Sequence, residues 1–339
     1  IDNESFSASG ATVHCSSIFE SRELRAIGDP GGAGRTRPVL KVQDGCSYRC
    51  SFCVIPAVRG NSRSLSIDEA LRQSRVLLDQ GYKEITLTGI HLGGFGKDLG
   101  KKENLALLVK TLLREDRLKR LRLSSIEPLE YTDDLIDLVA QSPKMAKHFH
   151  VPLQSGSDRI LRLMRRPYTA EFYLRLVEKM RHRVPDAAIG ADVMVGFPTE
   201  TEKDYMETRS LINLAPMTYL HVFPYSQRPG TAAALMQPKV RSDVTSQRGG
   251  ELKQMAVRKN REFRKKFIGQ RMGVMTLRWH ELEGFTDALS SNYLKVAIDA
   301  PEIQSNQFRE VIVTGMTSEG LLARAVSFQA LTPEELSWR

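Results

Sequence analysis

Residues 44–53 read Asp44-Gly45-Cys46-Ser47-Tyr48-Arg49-Cys50-Ser51-Phe52-Cys53, and this stretch decides how the rest of the chain is read. It gathers three of the four cysteines in a CxxxCxxC pattern; the fourth, Cys15, lies far upstream beside His14. A disulfide framework does not suit a chain of 339 residues without a visible secretion signal, and clustered cysteines in such a chain more often bind metal. Thiolates are soft ligands for zinc or iron–sulfur clusters. Structural zinc generally takes four ligands, commonly as two separated pairs, and no second CxxC is present. Three thiolates on a four-iron cubane would leave one iron open to a substrate or cofactor. The motif therefore reads as a three-cysteine cluster, with zinc or plain thiols as the alternatives. Cys15 alone reads as a small apolar or exposed residue.

Around this motif the hydrophobic pattern alternates between strand and helix. Val39-Leu40-Lys41-Val42 reads as a strand, followed by a helix opened by a capping box at Ser66 and Glu69 and closed by Gly81. Strands are predicted over 84–89, 119–125, 147–152, 189–195 and 217–223. Helices are predicted over 104–116, 132–141, within 157–184, and from a capping box at Thr199 and Glu202 to about 214. Six such alternations with right-handed crossovers imply an α/β parallel sheet, open or curled into a partial barrel. The candidate motifs, including Thr88–Gly94, Ser124–Pro128, Gln154–Ser157 and Gly196–Thr199, all fall at the C-terminal ends of strands, where barrels of this type place their chemistry. From about residue 267 short strands with turn signals read as a small antiparallel β-barrel.

Composition is that of a globular protein: 41% hydrophobic and 26% charged residues, which excludes wholesale disorder. No apolar run approaches the ~18–20 residues that span a bilayer, and no basic-then-apolar leader opens the chain. The first residues are Ile1-Asp2-Asn3, without Met, which reads as a trimmed or partial chain. The net charge is +9, which fits a polyanionic partner. Much of it sits in residues 241–266, with nine basic against three acidic side chains, either a solvated helix face or a phosphate-contacting strip. The small barrel is slightly acidic, with five basic and seven acidic residues over 267–330.

The cysteine motif, with Phe52 before its third Cys, resembles the signature of radical S-adenosylmethionine (SAM) enzymes. The longer run 42–64 resembles the methylthiotransferases. So do Leu87-Thr88-Gly89-Ile90-His91-Leu92-Gly93, Leu123-Ser124-Ser125-Ile126-Glu127-Pro128, His150-Val151-Pro152-Leu153-Gln154-Ser155-Gly156-Ser157, Asp192–Glu200 and His221–Ser226 with Arg228–Thr231. The match covers roughly residues 35–328, and the terminal barrel resembles a TRAM domain of OB-like form. The domains expected are a linker or N-terminal remnant over 1–34, a radical SAM partial (β/α)6 barrel over 35–240, a basic connecting segment over 241–266 and a TRAM barrel over 267–330.

The resemblance implies that Cys46, Cys50 and Cys53 hold a 4Fe–4S cluster whose open iron chelates SAM. One-electron cleavage would then give methionine and a 5′-deoxyadenosyl radical that attacks carbon 2 of a modified adenine; sulfur is inserted and methylated by a second SAM. That carbon has no useful acidity, so a cofactor must carry the chemistry. The motifs resemble most the branch that modifies N6-threonylcarbamoyladenosine beside the tRNA anticodon. Branches acting on isopentenyl-adenosine tRNA or on ribosomal protein S12 are the alternatives. Family members also carry an N-terminal domain with an auxiliary 4Fe–4S cluster; residues 1–34 are too short for it and hold only Cys15. The expectation is that this polypeptide alone cleaves SAM but methylthiolates poorly.

Phe52, Thr88, Gly89, Glu127, Gln154, Ser155 and Gly196 are the candidate cofactor contacts. For these, core packing, chain turning or helix capping is the competing account. His150 and His221 read as satisfied structural groups. Arg59, Arg63, Arg165, Arg166, Arg228, Lys265 and Lys266 are candidate tRNA contacts, although each taken singly reads as a solvated charge. An unstacked anticodon base suits such a pocket. A flavodoxin or ferredoxin as electron donor, no membrane partner and a cytoplasmic location complete the reading. The competing class is a non-catalytic RNA-binding protein with a structural metal.

Overall fold

A computed structural model of the chain describes residues 5–8, 11–14, 36–100, 103–278, 284–300 and 303–326. Cys15 and most of the segment 1–34 lie outside them. Strands β1 (Ser5–Ala8) and β2 (Ala11–His14) form an antiparallel pair.

The first large unit is a parallel sheet in two parts. It runs β3 (Val39–Asp44), helix α1 (Ile55–Arg59), a two-residue strand β4 (Arg63–Ser64), α2 (Ile67–Asp79), β5 (Glu84–Gly89), α3 (Leu105–Leu112) and β6 (Arg120–Leu123). Then come α4 (Asp133–Gln141), β7 (His148–His150), α5 (Asp158–Leu163), α6 (Ala170–Arg183), β8 (Ala188–Val195), α7 (Glu202–Leu214) and β9 (Tyr219–Pro224). The sheet orders are β4-β3-β5-β6 and β7-β8-β9, joined through a parallel bridge between Leu121 and Met145. The six predicted strands are thus in place, and all of them pair in parallel. The short antiparallel strand β4 and the five-residue helix α1 are elements the periodicity did not foretell, since so few residues carry no pattern.

Helix starts follow local chemistry. Ser66, Asn104, Thr132 and Thr169 each accept a hydrogen bond from the backbone N–H three residues on, which satisfies an otherwise orphaned donor. The capping box of α7 is formed by Thr201 and Asp204, not by Thr199 and Glu202. Thr199 instead turns the chain with a positive φ of 69°. Apolar faces of helices and strands meet in one core that runs through all six strands, with Leu40, Ile85, Leu87, Leu121, Phe149, Val151 and Val193 at its centre.

After α8 (Ala232–Leu235), the basic segment is a single helix, α9 (Ser242–Lys265). It is not merely a solvated strip. Arg248 is buried against Glu200, and buried Arg264 donates to the carbonyls of Thr317, Ser318 and Gly320.

The chain then forms a closed barrel in the order β10 (Arg271–Thr276), β11 (Thr286–Ser290), β12 (Lys295–Ile298), β14 (Leu321–Ala325) and β13 (Phe308–Met316). One pair, β12 with β14, is parallel, so the barrel is not purely antiparallel. Strand β11 has no clear alternation to announce it.

The barrel docks under the parallel sheet through two buried arginines. Arg120 donates to the carbonyls of Leu289 and Gly273, and Arg122 to those of Ser290 and Ser291. Both ion-pair with Glu84, which is fully buried. No helix among the described residues is long and apolar enough to cross a membrane.

Candidate active site

The cysteine loop leaves the C-terminal end of β3 and is fixed by its backbone. Cys46 N–H donates to the Gly60 carbonyl at 3.0 Å, Ser51 N–H to Met164 at 3.1 Å and Cys53 N–H to Cys50 at 3.1 Å. Gly45 makes the turn possible: its φ is +69°, and a Cβ there would lie 2.0 Å from the Asn61 carbonyl oxygen. Beneath the loop, Gln43 is completely buried near the end of β3. Its amide donates to the carbonyls of Asp44 and Gly45 and to Ser62 Oγ, each at 2.8 Å, and its Oε1 accepts from His91 N–H at 2.7 Å. One amide thus holds both ends of the turn and the neighbouring strand exit. Sequence reading did not single out Gln43; a polar residue inside an otherwise buried strand, which demands partners, was the available signal.

Cys46, Cys50 and Cys53 are free thiols, all partly buried. Cys46 meets His91, and His91 Nε2 lies 2.8 Å from Glu130 Oε1. Burial alone would lower the His91 pKa, but Cys46 and Glu130 override it and push it up to about 9. On the other side, Arg166 donates to Cys50 Sγ at 3.3 Å and to Tyr168 Oη at 3.1 Å, and it ion-pairs with Glu127. Burial pushes the Cys50 and Cys53 thiols up, with Arg166 opposing the rise at both. Cys50 and Cys53 open onto a cavity of about 350 Å³ shared with Arg49, Arg165 and Thr231. Three unbridged sulfurs on one rigid loop, with cationic groups aimed at two of them, fit the donor set of a thiolate-held iron–sulfur cluster.

The predicted contacts divide. Thr88 and Gly89 end β5 beside the loop, and Gly89 leaves room for Gln43, whose Oε1 would lie 2.7 Å from an added Cβ. Glu127 faces Arg166 and so belongs to the cysteine environment. Phe52 packs against a small apolar cluster of Ile160, Met164, Phe197 and Ala233. Gln154 has φ +65° and bonds through its backbone to Asp192 and Met194. Ser155 and Gly196 are held by neighbouring elements. Ser155 is buried, its hydroxyl shared with Thr208 Oγ1 of α7 at 3.2 Å and the Ser157 N–H at 3.2 Å. Gly196 has φ +72°, and its close neighbour is Thr245 of α9, 2.3 Å from an added Cβ.

The arginines also separate. Arg59, Arg165, Arg228, Lys265 and Lys266 are exposed. Arg63 and Arg166 are buried, Arg63 lying 3.7 Å from Asp44, so neither is a surface phosphate contact. Sequence composition could not separate the two groups, because the partners that bury Arg63 and Arg166 come from other elements.

Residues 40–212 match the family model of the radical SAM superfamily. The chain is 39% identical over 85% of its length to the threonylcarbamoyladenosine tRNA methylthiotransferase MtaB of Bacillus subtilis, spanning 64% of that relative. It is 38% identical over 82% of its length to the MtaB of Aquifex aeolicus, spanning 68% of it. The chain belongs to the radical SAM methylthiotransferase family. The tRNA-2-methylthio-N(6)-dimethylallyladenosine synthase of Thermobifida fusca, 39% identical over 70% of this chain and 48% of its own length, represents a second branch of methylthiotransferases. Among solved structures, the radical S-adenosylmethionine methyltransferase TsrM of Kitasatospora setae superposes with a TM-score of 0.50 at 19% identity, over 58% of this chain and 38% of that one, a likeness of fold alone. Family membership implies a 4Fe–4S cluster and SAM as the cofactors of the cysteine loop.

Proposed function

We propose that this methylthiotransferase acts on tRNA, converting N6-threonylcarbamoyladenosine next to the anticodon to its 2-methylthio derivative. The observation that carries the reading is the three-thiol loop at the C-terminal ends of the strands, in a chain whose relatives from Bacillus subtilis and Aquifex aeolicus are named as threonylcarbamoyladenosine tRNA methylthiotransferases. Cys46, Cys50 and Cys53 would hold the cluster, which supplies one-electron reduction of the SAM sulfonium when bound. The chain's own part is orientation. Gln43 locks the turn, Arg166 sets Cys50 and Glu127, and His91 with Glu130 borders Cys46. Gln154, Thr88 and Gly89 are proposed to border the nucleoside part of SAM.

The small barrel is read as a TRAM domain. Exposed Arg59, Arg165, Arg228, Lys265 and Lys266 are read as phosphate contacts, with flavodoxin or ferredoxin as reductant. Anaerobic reconstitution with dithionite tests the first step: 5′-deoxyadenosine forms from SAM, and Cys50→Ala abolishes it. Offering anticodon stem–loops carrying either threonylcarbamoyl or isopentenyl adenosine tests the branch. Faster consumption of SAM with the isopentenyl substrate would overturn it. Relatives of the second branch match over a shorter span, which favours the threonylcarbamoyl substrate.

A further inference from the structure

We propose that His150, Asp192 and His221 form a site for one divalent transition-metal ion, separate from the cysteine loop. The three side chains come from adjacent strands β7, β8 and β9. His150 pairs with Gly190, Gly190 with Tyr219 and Asp192 with His221. The period of two then brings the side chains to one face of the sheet.

One ligand atom from each residue lies within 4.8 Å of the others. His150 Nε2 is 3.1 Å from Asp192 Oδ2, and His221 Nδ1 is 3.3 Å from Oδ1. Nitrogen and oxygen ligands bound tetrahedrally at zinc distances stand about 3.3 Å apart. Each histidine thus already stands at about that distance from one oxygen of the Asp192 carboxylate, His150 from Oδ2 and His221 from Oδ1. The ligand atoms of all three residues lie within 4.8 Å of one another, and rotation of His221, whose side chain is 52% exposed, brings them onto one ion.

The surroundings point the same way. A histidine that ligates metal commonly engages a hydrogen-bonding partner through its other ring nitrogen, which fixes the ring. His150 Nδ1 meets Tyr219 Oη at 3.0 Å, and the same hydroxyl meets His148 Nε2 at 2.7 Å. Gly190 makes this possible, since a Cβ there would lie 1.9 Å from Tyr219 Cζ. Arg37 and Arg122 line the same cavity, and both are turned to Glu84, at 3.9 and 3.0 Å.

Three protein ligands leave coordination positions free, and they face a cavity of about 590 Å³. Two imidazoles and a carboxylate suit zinc or another first-row divalent ion, and an incomplete set marks a site that keeps room for water or an oxygen-donor ligand. This inference does not depend on the tRNA reading.

The test is metal analysis of the reconstituted full chain after equilibration with zinc and gel filtration. One zinc per chain is expected beyond the cluster iron. His221→Ala, a change at an exposed side chain, loses that zinc while the iron stays. Replacing Cys46, Cys50 and Cys53 with Ser loses the iron while the zinc stays. Tyr219→Phe, which keeps the packing, weakens zinc binding roughly 10–100-fold by calorimetry. A wild-type chain that retains no zinc, or a zinc content unchanged by His221→Ala, overturns the proposal.

Discussion

At Gly45 the backbone adopts a conformation that a side chain would both strain and obstruct, because the obstacle is the main-chain carbonyl of Asn61. Gly45→Ala is therefore expected to displace the cysteine loop. Iron content after reconstitution should fall well below one cluster per chain while the circular-dichroism spectrum stays that of the wild type. Arg166 gives a second prediction at the same scale. It is buried between Cys50, Glu127 and Tyr168, so Arg166→Ala leaves a carboxylate without its partner, at a cost of about 3–5 kcal/mol. Arg228→Ala, at an exposed position, should leave the denaturation midpoint unchanged and weaken tRNA binding. A filter-binding titration beside a urea melt separates the two arginines. The three cysteines were legible in the sequence because ligand chemistry fixes both residue type and spacing. The burial of Arg166 was not, since it depends on Glu127 and Tyr168 arriving from other elements.

Elements follow from their ends as much as from their periodicity. The start of α7 shows this. Thr199 and Glu202 satisfy the capping-box pattern, yet Thr201 and Asp204, two residues on, satisfy it too and win. The decisive contacts are tertiary: Asp204 also takes Ser157 Oγ at 2.7 Å and the Arg159 guanidinium. Burial would raise the Asp204 pKa, but the bonds from Arg159, Thr201 and Ser157 hold it below its ordinary value of 3.8. The sign follows from linkage: the ionised carboxylate stabilises the fold fully above pH 4, and that stabilisation is lost as pH falls through the depressed pKa. Asp204→Asn should therefore lower the urea midpoint at pH 7, and the gap to the wild type should narrow below pH 4. A gap of constant size down to acid pH would contradict this. The helix α9 carries the complementary lesson. Its charge was visible in the sequence, but Arg248 and Arg264 serve packing, a division that no count of lysines and arginines can make.

For the whole molecule, the joint between parallel sheet and small barrel rests on Glu84, the shared counter-charge of Arg120 and Arg122. Glu84→Gln leaves two buried guanidinium groups short of their anion. The expected loss is about 3–5 kcal/mol, read by calorimetry as a lower unfolding temperature and separation of the barrel transition from that of the sheet. The strand–helix alternation made the order of elements legible, because each crossover leaves a period of its own. The joint was illegible, because charged residues in β6 look like a solvent-facing pattern until the barrel covers them. That joint also has an evolutionary meaning. Arg120 and Arg122 grip the oxygens of Gly273, Leu289, Ser290 and Ser291, atoms that any amino acid supplies. A change of side chain at exposed Gly273 can therefore leave the grip on its carbonyl intact, whereas buried Leu289 and Ser290 are also held in place by the barrel's own packing.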